Sequence, residues 1–167
     1  MATFSISSSI HVNVPPEVAF AYVVDLTRHG EWNPGLRVTA ISDGSIIVGS
    51  RFQSVGHIFG REIHDDLRVT EYQPPVRFAF FVKSGFGGEE LTHEFMLQPK
   101  DSGTLITRTA GSTTVPLLLK LLAPILAAVF VRSEMTKSME RLKAKLEQMY
   151  PQAGTAKDML GQPDPLA

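Results

Sequence analysis

The stretch from residue 115 to residue 149 limits what this chain can become more than any other. Pro116 suits the first position of a helix, because its missing N–H would be unpaired there and its φ is already helical. Thr113 and Thr114 stand just ahead of it as caps. From Ala128 onward, Val131, Met135, Met139, Leu142, Leu146 and Met149 step by three and four, which marks one face of a helix. Arg132, Glu134, Lys137, Glu140, Arg141, Lys143, Lys145 and Glu147 take the other faces, so this half must lie on something apolar. Residues 117–131 are apolar nearly all round and are expected to be buried on several sides or to face a cavity, with a kink at Pro124. A membrane span is the competing reading. The run falls short of the roughly 18 uninterrupted residues a span needs, and Lys120 and Pro124 break it.

What lies upstream should supply the partner for that helix. Phe4, Ile6, Ile10 and Val12 alternate with serines and His11, the period of a half-buried strand. Pro15 and Pro16 end it, and Glu17 opens a short helix through Val24 with Val18, Ala21 and Tyr22 on one face. A second helical turn follows from Asp25 to Asn33, anchored by Trp32 and closed by Pro34 and Gly35. From there to Val115 the helical period vanishes. Turn signals recur at Asp43-Gly44, Phe59-Gly60, Pro74-Pro75, residues 85–88 and residues 101–103, between segments rich in Val, Ile, Phe and Thr. Helices and strands are thus segregated, which predicts an α+β domain over residues 1–150 with the long helix on one face of an antiparallel sheet. Residues 151–167, rich in Pro, Gly, Gln and Asp, are expected to form a disordered tail.

Strand register follows from the turns. A two-residue loop at Phe59-Gly60 sets Ser54 against Asp65 and Phe52 against Leu67; a turn at Pro74-Pro75 sets Val69 against Phe80, and the glycine loop sets Phe80 against His93. One face then gathers Phe52, Ser54, Ile63, Asp65, Leu67, Val69, Phe78, Phe80, Val82, Leu91, His93, Phe95 and Leu97. Continued across the last hairpin, it adds Leu105, Thr107 and Thr109, unless a bulge flips a strand.

Composition excludes several functions. The 16 basic and 17 acidic residues nearly cancel, so nothing favours nucleic acid as a partner. Without cysteine there is no disulfide, thiolate nucleophile or thiolate metal site. His57, His64, His93, Asp65 and Asp66 have no zinc-site spacing, and residues 85–88 do not lie between a strand and a helix as a phosphate loop would. The expectation is no metal and no cofactor. Nor does the N-terminus look like a signal peptide, so a cytoplasmic location is expected.

The chain resembles the START-related superfamily, the polyketide cyclase/dehydrase and lipid-transport group (SRPBCC proteins) with the helix-grip fold. The resemblance rests on Val14-Pro15-Pro16-Glu17-Val18-Ala19-Phe20, Asp25, Glu31-Trp32-Asn33-Pro34-Gly35, Val48-Gly49-Ser50-Arg51-Phe52, Val69-Thr70-Glu71-Tyr72-Gln73-Pro74-Pro75 and the helix ending near Leu146. It implies a seven-stranded antiparallel sheet wrapped around the C-terminal helix, with two short helices after the first strand and an apolar cavity between sheet and helix.

Function divides into three readings. In the first, the chain binds or carries a hydrophobic small molecule or lipid in a pocket lined by Phe52, Ser54, Leu67, Val69, Phe80, His93, Phe95 and Thr109, with its mouth near residues 85–88 and Phe86 at the loop tip. Ten Phe and six Met suit such a lining. The second is a polyketide cyclase or dehydratase acting on an apolar carbonyl compound, with His93 as acid/base and Asp65 or Thr109 orienting it. The third is a partner-binding module, most simply a homodimer, using the apolar part of the long helix. Against all of these stands a solid core, in which His93 is bonded to Thr109 and Ser54 to Asp65 for structural reasons only.

Overall fold

The computed structural model describes residues 4–58, 60–85, 90–112 and 124–151, with side chains over 5–57, 60–85, 90–112 and 131–151. Strand β1 (Phe4–Val12) leads into helix α1 (Pro16–Val24), a 3-10 helix (Leu26–Glu31), and strands β2 (Arg37–Ala40), β3 (Arg51–Ile58), β4 (Arg61–Gln73), β5 (Arg77–Lys83), β6 (Glu90–Lys100) and β7 (Gly103–Ser112). Helix α2 (Pro124–Met149) ends the described fold. Among the described residues the strands form one antiparallel sheet in the order β1-β7-β6-β5-β4-β3-β2. This is the helix-grip arrangement, with two short helices after the first strand as the sequence led one to expect. The expected helical residues 116–123, and any kink at Pro124 that depends on them, lie outside the described residues. So does most of residues 85–88, including Phe86, and so does the expected tail beyond Pro151.

The β3–β4, β4–β5 and β5–β6 hairpins keep the register read from their turns. Ser54 faces Asp65, Phe52 faces Leu67, Val69 faces Phe80, and Phe80 faces His93. A bulge between Val69 and Glu71 then sets Glu71 opposite Ala79, on the face away from the core, where its carboxylate meets Arg77 Nε at 3.1 Å. The last hairpin departs from expectation. Its loop is only Asp101-Ser102, with Lys100 paired to Gly103, so every residue of β7 shifts by one. Thr104, Ile106, Arg108 and Ala110 point inward; Leu105, Thr107 and Thr109 point outward. Two local facts explain the shift. Asp101 itself takes the left-handed backbone (φ 51°) that a two-residue loop needs. Gly103, which looked like a turn residue, is instead the first residue of the strand, because any Cβ there would collide with the Val12 carbonyl.

The helices close over the inner face. Pro16 starts α1 and Glu17 sits in its first turn; Ala19, Phe20, Tyr22, Val23 and Val24 are buried, whereas Ala21, expected on the buried face, is exposed. Asp25 caps the 3-10 helix, its Oδ1 accepting from the Thr27 amide at 3.1 Å. Along α2 the buried stripe is Met135, Ser138, Met139, Leu142 and Leu146. Val131 and Met149, at the two ends of the expected stripe, are exposed. The C-terminal end of α2 is pinned to β1. Glu147 Oε1 accepts from the amide and the side-chain nitrogen of Asn13, both at 2.9 Å, and Lys143 Nζ donates to the His11 carbonyl at 2.8 Å. Among the described residues no helix is long and apolar enough to cross a membrane.

Candidate functional site

The inner face of the sheet brings together most of the residues expected to line a pocket. Phe52, Leu67, Val69, Phe80 and Phe95 all point inward and are buried. Ser54 is buried too, but its hydroxyl donates to Asp65 Oδ2 at 3.3 Å, and the Gly85 amide donates to Asp65 Oδ1 at 3.1 Å. Both carboxylate oxygens of Asp65 are thereby used in tying β3 to β4 and to the start of the loop after β5. Asp65 therefore does not orient His93. Thr109 does not either. Its register partner is Glu94, and its hydroxyl bonds the Ser7 hydroxyl at 2.9 Å on the outer face, so the expected His93–Thr109 pair is replaced by His93 opposite Ala110.

The residue that takes the inward place is Arg108, which the expected inward placing of Thr107 and Thr109 would have left on the outer face. It stands on β7 between Phe95 of β6 and Ser8 of β1. Its Nη1 donates to Ser138 Oγ on α2 at 3.1 Å, and the Ser138 hydroxyl in turn donates to the Met135 carbonyl at 2.9 Å. Nη2 reaches toward His93 Nδ1 at 3.5 Å. The guanidinium carbon lies 5.4 Å from the Trp32 ring centre and 5.6 Å from that of Phe95, within range of a cation–π contact. Among the described residues no carboxylate pairs with Arg108, and its Nε has no acceptor. The indole N–H of Trp32, fully buried in the same cluster, has none either among the described residues. Buried donors are ordinarily satisfied, so two in one cluster mark a place built for an acceptor.

Two histidines complete the cluster. His29, buried in the 3-10 helix, packs 4.6 Å from Trp32, and its Nε2 donates to the Val23 carbonyl at 2.8 Å. His93 stacks on Phe80 at 5.0 Å. Burial pulls the His29 pKa down to about 4, and burial together with the Arg108 charge and His29 pushes His93 well below its ordinary value. Both rings are therefore neutral near pH 7. Because Arg108 donates only, His93 Nδ1 is the acceptor and its proton sits on Nε2. Burial also lowers the Arg108 pKa, to about 10, which still leaves it charged at neutral pH. Among the described residues the result is one positive charge set among neutral rings. Trp32, read from the sequence as the anchor of the second helical turn, is fully buried and packs on Phe95 of β6, an interior strand of the sheet, where it helps to enclose this cluster.

The walls around it are uneven. Toward the β6–β7 turn, Val12, Leu97, Ile106, Met139, Leu142 and Leu146 have essentially no accessible surface. Toward the loop after β5, the inward residues Ser8, Leu91, His93, Arg108 and Ala110 are only half-buried. A cleft of about 440 Å³ also opens between the Pro34 to Leu36 turn and the β3–β4 hairpin, with Gly56, His57, Ile63 and Asp65 on its walls.

A curved antiparallel sheet gripping a C-terminal helix, with short helices across one end, is the architecture of the START-related helix-grip proteins. The sequence profile of one family in that superfamily, described as polyketide cyclase / dehydrase and lipid transport, matches residues 3–147, and the chain belongs to it. No curated protein matches the sequence. Solved structures share the fold. Protein CV1439 of Chromobacterium violaceum has 16% identity and a TM-score of 0.64, over 86% of this chain and 96% of that one. Protein Ms6760 of Mycobacterium smegmatis has 17% identity and a TM-score of 0.65, over 89% and 94%. TTHA0849 of Thermus thermophilus has 19% identity and a TM-score of 0.62, over 85% and 99%. Fold and family together support a hydrophobic-ligand cavity of the kind this superfamily has between sheet and helix.

Proposed function

We propose that this chain binds, and carries, a hydrophobic small molecule or lipid between the sheet and α2. The observation behind the reading is the unevenness of the inner face. Aromatic and aliphatic side chains surround a region that keeps accessible surface at Leu91, His93, Arg108 and Ala110, while the neighbouring half of the same face is closed. Apolar walls around a few convergent donors are the usual make-up of a ligand pocket. The test is native mass spectrometry of the protein purified from its own host, together with titration by the neutral apolar dye N-phenyl-1-naphthylamine. A co-purifying apolar mass or saturable dye binding is expected. A bare protein that also ignores the dye refutes the reading.

The cyclase or dehydratase reading keeps one supporting observation and loses another. His93, with Nδ1 turned to Arg108, keeps its Nε2–H as a donor that could polarise a carbonyl. As a general base it is poorly arranged, since the lone pair on Nδ1 already faces Arg108, and neither Asp65 nor Thr109 stands behind it. His93→Ala separates the classes: affinity changes by about 1–3 kcal/mol if the site only binds, whereas turnover of a true substrate falls roughly 10²–10⁴-fold if it catalyses.

A further inference from the structure

The polar side of the site is more specific than an apolar pocket requires. Arg108 is the one charged side chain on the inner face of β6 and β7, and its described neighbours are all neutral: Ser8, His93, Phe95, Trp32 and Ser138. Desolvating a guanidinium without an anion is costly, and a structural arginine in such a place is ordinarily held by a carboxylate. Among the described residues, two of its nitrogens make a hydroxyl contact and a long imidazole contact, and the third has no acceptor. The adjacent Trp32 N–H is likewise without one. Neutral esters, alcohols and hydrocarbons would leave the charge unbalanced. A carboxylate would balance it and accept from several donors at once.

We infer that the ligand is an apolar acid, a molecule with a hydrophobic body and a single carboxylate, and that Arg108 is the residue that binds its head group, with the Trp32 N–H as a further donor beside it. The inference rests on the proposed binding function and narrows it to one ligand chemistry. Ser138 is a positioning residue, since its hydroxyl holds Nη1 toward α2 and leaves Nε free. The ring stack of His93 on Phe80 sets the opposite side of the guanidinium.

Trp32, the only tryptophan, is a built-in reporter beside the guanidinium. The full chain is titrated with dodecanoate, methyl dodecanoate and acetate, reading Trp32 emission and displacement of N-phenyl-1-naphthylamine. Dodecanoate is expected to bind at least about ten-fold more tightly than its methyl ester, the scale of hydrogen bonds to a charged group. Acetate should not compete at matched concentration, because it lacks the apolar body. Arg108→Met should reduce the acid-over-ester preference to less than about two-fold while dye and ester still bind, and Arg108→Lys should keep part of the preference. The Arg108→Met protein should melt no lower than the parent, because the substitution removes a half-buried charge that no described carboxylate balances. Equal binding of acid and ester by the parent, a preference that survives Arg108→Met, or competition by acetate as strong as by dodecanoate overturns the assignment. If dye and ester bind but the acid has no advantage, the apolar cavity stands and the role of Arg108 falls. Acid binding without dye or ester binding keeps the role of Arg108 and removes the general apolar cavity, and binding of none of the probes removes both.

Discussion

The inner face of the sheet is two different materials under one helix. Near the β6–β7 turn, Val12, Leu97 and Ile106 meet Leu142 and Leu146 with no surface left over, and the polar group there, Thr104, donates to the Val14 carbonyl at 2.7 Å. Toward the loop after β5, the same face holds Arg108, His93 and, across from them, His29 and Trp32, with two donors unsatisfied and several residues half-buried. One half is closed in both packing and hydrogen bonding; the other is open in both. On the proposed reading, stability and binding fall to different ends of the same strands, and the packed end offsets the cost of an unpaired charge at the other.

The largest effect tests the closed half. Leu142→Ala should cost about 3–5 kcal/mol in urea unfolding, because a fully buried leucine surrounded by packed neighbours leaves a cavity that cannot collapse. A loss below about 1 kcal/mol would mean that this end is as loose as the other.

Acid should act on the open half. With its folded pKa at about 4 and an ordinary value of 6.5, His29 binds its proton in the unfolded chain before it does so in the folded one. Its contribution to stability is complete above pH 6.5 and is lost as pH falls from 6.5 to 4, amounting to about 3 kcal/mol. His93 shifts in the same direction and adds to the loss. His29→Gln should flatten the slope in that window; an unchanged slope would show that burial of His29 is not its source.

A smaller effect separates the halves by volume. Ala110→Leu adds bulk beside His93, where surface remains accessible, and should cost less than about 1 kcal/mol while weakening dye binding. If it costs about 1–3 kcal/mol, as in a filled core, and dye binding is unaffected, the two halves are equally solid. The smallest effect is expected at Thr109→Val, which removes an exposed hydroxyl contact to Ser7 on the far face and should stay within about 0.5 kcal/mol with binding unchanged. Weakened ligand binding there would return Thr109 to the pocket.

How much of this was legible depended on the turns. Where a loop declared its length, as at Phe59-Gly60 and Pro74-Pro75, alternation carried the register correctly across β3, β4, β5 and β6, and with it the inward placement of Phe52, Val69, Phe80 and His93. The last hairpin offered Asp101, Ser102 and Gly103 as equally plausible turn residues, and its two faces, Leu105-Thr107-Thr109 and Ile106-Arg108-Ala110, differ little in apolar content. The deciding constraint, the approach of the Val12 carbonyl to Gly103, comes from a strand some 90 positions away and leaves no local trace. An arginine is, moreover, the side chain that periodicity most readily sends outward. That single residue of register hid the inward place of Arg108, the centre of the candidate site, while leaving the fold intact. His29 gave no signal either, since its burial depends on how Trp32 and Phe95 meet.

The fastening of α2 to β1 also bears on how this molecule keeps to itself. β1 is an edge strand, nine residues long with alternating serines, the sort of ribbon another chain could extend. Lys143 and Glu147 are partly exposed, and as ion-pair partners they add little to folding. Yet Lys143 occupies the His11 carbonyl and Glu147 the Asn13 amide, so two main-chain positions at that end of the ribbon are already taken by side chains of the helix. A foreign strand arriving there meets a lysine and a glutamate in place of bare peptide groups, and the helix that covers the interior doubles as a guard against strand-to-strand aggregation.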